Sequence, residues 1–252
     1  MKRHCILVLA ASLIALPGVA LAGACTAESV AALKGTTCTI GDLTFDFKSY
    51  LPGGGGSGNK SEYSASNVFF TPDATADSFK LSGPFSSSST GYSEGDGTLF
   101  YTVSVSDGTL TGVAATVNNS SLSVSPNAAK GSVENLSEAY TEAFSNLNGD
   151  YAYNEQLLEQ SRNSRGPGGV TSVNYGEASP FTPETSDSGY AYIESSAYNY
   201  SSSAGSGGTA SASFTSADFT FEVTQAPEPS VWLSLLVMGL LAIIPIRRLK
   251  RG

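Results

Sequence analysis

Carboxylates, tyrosines and cysteines are the side chains whose types and spacing could support chemistry in this sequence. Glu94, Asp96 and Asp107 stand near predicted turns, and Asp42 and Asp46 lie on the polar face of a predicted strand. Paired carboxylates serve glycoside hydrolysis, and acidic turns on β-sandwiches can hold calcium. We favour a simpler interpretation, in which the Asp-Gly pair forms a turn and exposed carboxylates keep the chain soluble.

Histidine is nearly absent. His4 is the only one, and it lies in a predicted leader. Removal of the leader leaves no imidazole, which excludes Ser-His-Asp and Cys-His catalysis and any zinc or iron site that uses histidine. We therefore predict no catalytic, metal or cofactor site and a structural, non-enzymatic role. A carbohydrate-binding module is the alternative, and a glycoside hydrolase ranks behind it.

Tyrosines are concentrated near the end of the central region. Two pairs at two-residue steps follow each other there, Tyr190 with Tyr192 and Tyr198 with Tyr200. On one face of a strand such rings could stack on sugars. A half-buried amphipathic stripe is the more frequent use of this pattern.

Two cysteines remain once the leader, which contains Cys5, is removed. Cys25 and Cys38 are 13 residues apart. In an exported chain this spacing predicts a disulfide that closes a small N-terminal loop. A loop of that size stabilises the fold by about 3 kcal/mol in the chain-entropy model.

The N-terminus has the pattern of a cleaved signal peptide over residues 1–22. Lys2 and Arg3 precede an apolar run over residues 6–16, which is too short to span a bilayer. Small residues before position 23 favour cleavage after Ala22. Cleavage after Ala24, which would expose Cys25 for lipidation, is the alternative.

The C-terminus, residues 226–252, combines three features in a fixed order. Pro227, Glu228 and Pro229 favour an extended backbone, the form a membrane protease grips. A predicted transmembrane helix follows over residues 230–246. The segment ends in basic residues that the positive-inside bias keeps cytoplasmic: Arg247, Arg248, Lys250 and Arg251.

This ordered triple resembles the PEP-CTERM sorting signal of bacterial exported proteins. The resemblance implies an exosortase as processing partner. It also implies export through the inner membrane, transient anchoring by the C-terminal helix, and delivery to the cell surface or an extracellular polysaccharide matrix. A plain tail anchor with a proline-rich linker is the alternative.

The central region, residues 23–225, must fold on its own. It carries seven Lys and Arg against 21 Asp and Glu, a formal charge of −14 against −9 for the whole chain. Such a surface repels phosphate backbones, so we expect no nucleic-acid partner. A polysaccharide partner is compatible with it. About 200 residues suffice for one all-β domain with a sizeable core.

Alternating polar and apolar residues predict an all-β fold, an antiparallel β-sandwich, over this region. Asp107 and Gly108 separate two alternating runs, residues 98–105 and 109–117, and predict a hairpin between them. The apolar positions give the expected core anchors: Phe45, Phe47, Phe69, Phe100, Val103, Phe214, Phe219 and Phe221.

Glycine- and serine-rich stretches predict long loops at residues 53–58, 86–91 and 201–208. Apolar residues at helical spacing favour one surface helix over Leu136 to Leu147, and a strand with an irregular connection is the alternative. The start of the region, Cys38 to Phe45, and the run Phe100 to Val105 resemble a group of exosortase-sorted proteins with a β-sandwich ectodomain of unknown function. That resemblance supplies no catalytic residues.

Overall fold

The computed structural model describes residues 22–60, 63–124, 130–140, 151–163, 166–184, 186–198 and 209–225. No helix within these ranges is long and apolar enough to cross a bilayer. The predicted signal peptide and the predicted transmembrane helix, residues 230–246, lie outside them.

The described residues form strands and one short helix. Their bounds are β1 (Gly23–Ala24), β2 (Glu28–Ser29), α1 (Val30–Leu33), β3 (Thr37–Ile40), β4 (Leu43–Gly56), β5 (Asn59–Lys60), β6 (Phe69–Asp73), β7 (Ser78–Ser89), β8 (Tyr92–Val105), β9 (Thr109–Asn118), β10 (Ser121–Val124), β11 (Lys130–Tyr140), β12 (Tyr151–Asn163), β13 (Gly166–Ala178), β14 (Asp187–Tyr198) and β15 (Ala210–Thr224).

These strands form two sheets. The larger sheet has eight strands in the order β1-β3-β4-β8-β14-β11-β12-β13, and every pair except β1 with β3 is antiparallel. In the smaller sheet, β15 pairs with β7 on one side and with β9 and β10 on the other. Strands β5 and β6 pair with β7, and β2 pairs with β6. The all-β, antiparallel class predicted from the sequence is confirmed.

Side chains alternate between the core and the outer face along the central strands. In β8, Leu99, Tyr101 and Val103 are buried, whereas Phe100 and Thr102 between them are only half-buried. Both sheets contribute buried side chains to the same hydrophobic cluster. The two sheets therefore pack face to face.

Phenylalanine rings link the two sheets. The ring of Phe79, in β7, lies with its centroid 6.0 Å from that of Phe45 in β4 of the larger sheet. Within the smaller sheet, the Phe79 centroid lies 5.3 Å from that of Phe219. Each ring is at most 1% exposed. Burial of these aromatic groups is the main driving force for pairing the sheets.

Six of the eight predicted core anchors are buried, and two predictions are wrong. Phe69 is 51% exposed, and Phe100 lies on the outer face of the larger sheet. Their neighbours Phe70 and Tyr101 occupy the core instead. Adjacent residues of a strand point to opposite faces, so a one-residue error inverts the assignment.

Two of the predicted loops are largely strand. Residues 53–56 belong to β4 and pair with residues 93–96 of β8, and residues 86–89 belong to β7. Buried hydrogen bonds add to the packing of aromatic rings at this end of the molecule. Tyr63 Oη donates to Ser195 Oγ at 2.7 Å, and Ser87 Oγ donates to the Ser195 carbonyl at 2.8 Å. Loop 201–208 lies outside the described residues.

The predicted hairpin at Asp107 is also wrong. Strand β8 belongs to the larger sheet and β9 to the smaller sheet, so this turn carries the chain between sheets. Gly108 has a φ of 121°, a conformation that favours glycine. A Cβ atom there would lie 2.4 Å from the carbonyl oxygen of Thr224. Close packing against the end of β15 therefore requires glycine.

The predicted surface helix is wrong where it can be compared. Residues 136–140 belong to β11, which pairs with β12 on one side and β14 on the other. Residues 141–147 lie outside the described part of the chain. Because β11 pairs with a strand on each side, sheet pairing determines its conformation. The segment with helical spacing of apolar residues is too short to indicate a helix by itself.

The predicted disulfide is confirmed. Cys25 and Cys38 are bonded, and the backbone N–H of Cys25 also donates to the Thr39 carbonyl at 2.9 Å. Together these links hold the first described residues against β3, at the edge of the larger sheet.

Side chains of the larger sheet satisfy backbone groups of β9 in the smaller one. The N–H of Ala115 donates to Asn154 Oδ1 at 2.9 Å, and the N–H of Val117 donates to Gln156 Oε1 at 2.7 Å. Asn154 and Gln156 both belong to β12. These hydrogen bonds occupy backbone N–H groups on the unpaired side of β9, which could otherwise pair with a strand of another chain.

Substitution of Asn154 tests whether the β9 backbone needs the hydrogen bond that the Asn154 side chain accepts. We expect Asn154→Ala to lower the free energy of unfolding by about 1–3 kcal/mol, because the Ala115 N–H loses its acceptor. Chemical denaturation of the full-length chain in detergent measures the change. Asn174→Ala, at an exposed position of β13, is the matched control and should cost less than about 0.5 kcal/mol. Equal losses would contradict a capping role for Asn154.

Candidate functional site

Three of the candidate carboxylates have local structural roles. Asp42, in the turn between β3 and β4, accepts a hydrogen bond from Gln225 Nε2 at 2.9 Å. Asp46 forms an ion pair with Lys48 on β4. Asp107 lies in the connection between the two sheets. These three acids do not share a site.

The other two candidates lie on the outer face of the larger sheet. Glu94 and Asp96 alternate on β8 with residues that point into the core. Asp96 lies directly opposite Glu194 of β14 in the strand register. Like charges directly opposite each other destabilise a strand pair. The presence of such a pair in the middle of a sheet makes this face the leading candidate site.

The register extends this surface, which we call the acidic–aromatic face, across β8, β14, β12 and β13. Directly paired residues lie on the same side of a sheet. Through β11, Tyr190 of β14 is in line with Tyr153 of β12, and Tyr192 is in line with Glu155. On these four strands the face comprises six carboxylates and five aromatic rings: Glu94, Asp96, Glu155, Glu159, Glu177, Glu194, Phe100, Tyr153, Tyr175, Tyr190 and Tyr192.

Tyrosine and glutamate alternate in both directions at the β12–β13 end of this face. Tyr153 lies opposite Glu177, and Glu155 lies opposite Tyr175. The Tyr153 hydroxyl donates to the Glu155 carboxylate, which fixes the direction of the phenol. These four residues, with Gly176, line a shallow groove of about 520 Å³. Tyr175 is 54% exposed there.

The sequence predicted part of this face. Tyr190 and Tyr192 lie on it half-buried, and the Tyr192 hydroxyl donates to the Glu194 carboxylate. Tyr198 ends β14, and Tyr200 lies outside the described residues. The pair Tyr190 and Tyr192 therefore lies half-buried on one strand face, as expected for an amphipathic stripe.

Sequence reasoning missed the residues of the groove. A Tyr-x-Glu pattern gives the signal: it occurs at 92–94, 140–142, 153–155, 175–177 and 192–194. In the four cases that the structure describes in full, at 92–94, 153–155, 175–177 and 192–194, the tyrosine and the glutamate share one face of a strand. Only the register shows that these separate segments lie side by side.

Two further tyrosines pack in the hydrophobic cluster between the two sheets. Burial, and then the Asp96 carboxylate, raise the pKa of the Tyr50 hydroxyl above its usual range. Burial likewise raises the pKa of Tyr63, although its hydrogen bond to Ser195 acts in the opposite direction. Both phenols therefore stay protonated at neutral pH and act as structural groups.

The outer face of the smaller sheet has a different charge pattern. Lys80 Nζ lies 3.8 Å from Asp218 Oδ1, so opposite charges meet there. Hydrogen bonds from Thr75 hold the pKa of nearby Asp73 below its usual value. Across the ranges that the structure describes, no three His, Cys, Asp or Glu side chains are grouped as metal ligands.

Neither a protein-family model nor a curated protein matches this sequence. The predicted sorting residues lie outside the described part of the chain: Pro227, Glu228, Pro229, Arg247, Arg248, Lys250 and Arg251.

Proposed function

We propose that this chain is a structural, non-enzymatic protein of the bacterial cell surface or extracellular polysaccharide matrix. In this proposal an exosortase cuts it near Pro227, Glu228 and Pro229 after export. The observation that carries the proposal is the order of features at the C-terminus: Pro-Glu-Pro, an apolar segment and a basic end. A leader-like segment at the other end of the chain supports export.

Features of the folded region support the same proposal. Its disulfide is of a kind that persists in oxidising compartments outside the cytoplasm. Strand β1 begins at Gly23, next to the predicted cleavage point, and β15 ends at Thr224, shortly before the Pro-Glu-Pro motif. Both proposed cuts therefore leave the two sheets intact.

Processing gives the first test. We expect mass spectrometry of matrix or surface-released protein to find no peptide from Val231 onward, because the cut removes the apolar segment and basic end. Triple substitution of Pro227, Glu228 and Pro229 by alanine should retain those peptides in the membrane fraction. Glu222→Gln, just upstream of the motif, is the control and should be processed normally. Released protein that still carries Arg247 to Gly252 would refute the proposal.

A polysaccharide-binding role is the second candidate, and the acidic–aromatic face favours it. Tyrosine rings combine an apolar face with a polar tip, which suits sugars. Carboxylates beside them provide strong hydrogen-bond acceptors. Matrix proteins that bind the surrounding polymer would need an extended surface of this kind.

A further inference from the structure

On β8, β14, β12 and β13, the acidic–aromatic face carries charged side chains of one sign only. At the positions of β8, β14, β12 and β13 that lie in the same rows, six residues are Asp or Glu and none is Lys or Arg. The remaining members of those rows are aromatic, aliphatic or hydroxyl side chains, such as Leu157, Val173 and Thr98. The potential over this surface is therefore negative, and it favours cationic partners.

Exposure of the tyrosines is an independent observation. Tyr175 is 54% exposed although aromatic side chains usually bury most of their area. Tyr153 beside it is half-buried, and its hydroxyl is bonded to Glu155. A ring whose direction is already fixed loses little conformational entropy when a ligand binds.

We propose that the acidic–aromatic face binds an extended polysaccharide that carries free amino groups. The inference rests on the polysaccharide-binding role proposed above, and it specifies the class of polymer. An ammonium group pairs with the Glu155 or Glu177 carboxylate in a charge-assisted hydrogen bond. The neighbouring tyrosine ring attracts the same cation and covers the apolar side of the sugar.

The size and spacing of the face fit a polymer rather than a single sugar. The face extends over five adjacent strands, from β8 to β13. Neighbouring strands are 4.7–4.9 Å apart, so the four spacings between them add up to about 19 Å. Carboxylates occur at both ends of that span, Glu94 and Asp96 on β8 and Glu177 on β13. Several amino sugars of one chain can therefore be held at once, and polymers of uronic acids are repelled.

Binding to three hexasaccharides tests this inference. The probes are a glucosamine hexamer, the N-acetylglucosamine hexamer with the same backbone, and a hexamer of uronic acid. For the full-length chain in detergent, calorimetry should give a dissociation constant for the glucosamine hexamer at least about tenfold below that of the acetylated one. Affinity should fall as salt rises from about 50 to 500 mM, and the uronic acid hexamer should not bind.

Matched variants locate the site. Glu155→Gln with Glu177→Gln keeps side-chain size but removes two charges, and Tyr175→Ala removes the exposed ring. Each variant should weaken binding of the glucosamine hexamer about tenfold. Glu222→Gln, an exposed glutamate on the smaller sheet, should leave it unchanged. Circular dichroism and thermal melting establish that the variants remain folded.

Three outcomes would overturn the inference in distinguishable ways. Equal affinity for the amino and acetylated hexamers would support polysaccharide binding but contradict the preference for free amino groups. Failure of every hexamer to bind would remove the polysaccharide-binding role itself. Equally tight binding of hexalysine, with equal loss in the variants, would identify a general surface for cationic peptides instead.

Discussion

Substitution of Phe79 by alanine is expected to lower the free energy of unfolding by about 3–5 kcal/mol. Phe79 is 1% exposed, and its ring lies between the two sheets. Five other rings have centroids within 6.4 Å of it: Phe45, Phe70, Tyr101, Phe219 and Phe221. Alanine would remove these contacts and leave a cavity that residues from both sheets can only partly fill.

Phe69 provides the matched control for this prediction. It is the same residue type on the adjacent strand β6, but it is 51% exposed. Phe69→Ala should therefore cost less than about 1 kcal/mol. Urea denaturation of both full-length variants in detergent measures the two changes. A larger loss at Phe69 than at Phe79 would mean that the face assigned to β6 is inverted.

Much of this core could be predicted from the sequence because alternation is a local signal. In β4, Phe45 and Phe47 alternate with polar residues, and both are buried as expected. The same holds for Phe219 and Phe221 in β15. Where two aromatic residues are adjacent, as at Phe69 and Phe70, alternation cannot choose between the faces.

The glycine-rich strands could not be predicted because their stability comes from distant rings. Gly95 and Gly97 lie on the inner face of β8. A Cβ atom would lie 2.5 Å from the Tyr63 ring at Gly95 and 1.9 Å from Tyr50 Oη at Gly97. These tyrosines fill the space that the missing side chains leave. In the sequence alone, such glycines indicate a loop.

Prediction of the candidate site was limited in the same way. The tyrosine pair at Tyr190 and Tyr192 was visible because both residues belong to one strand. The groove at Tyr153 and Tyr175 was not, because it depends on the pairing of β12 with β13. A repeated Tyr-x-Glu pattern identifies candidate strands, but register decides which of them meet.

The disulfide gives the second large expected effect. Replacing both Cys25 and Cys38 by serine should lower the free energy of unfolding by about 3 kcal/mol, because the unfolded chain regains the freedom of the closed loop. The bonded residues are 13 apart in sequence. The bond also holds β1 against β3, where only two residue pairs are in register. We therefore expect β1 to detach in the double variant before the two sheets separate.

Reduction of the wild-type chain separates this effect from the cost of the serine side chains. Dithiothreitol should lower the denaturation midpoint of the wild-type protein to about that of the double variant, and it should leave the double variant unchanged. Amide exchange should lose protection first at Cys25, whose N–H donates to the Thr39 carbonyl at 2.9 Å. If the reduced and oxidised proteins unfolded at the same denaturant concentration, other contacts would already hold the loop between Cys25 and Cys38 in place without the disulfide. The bond would then contribute nothing measurable to the stability of the two sheets.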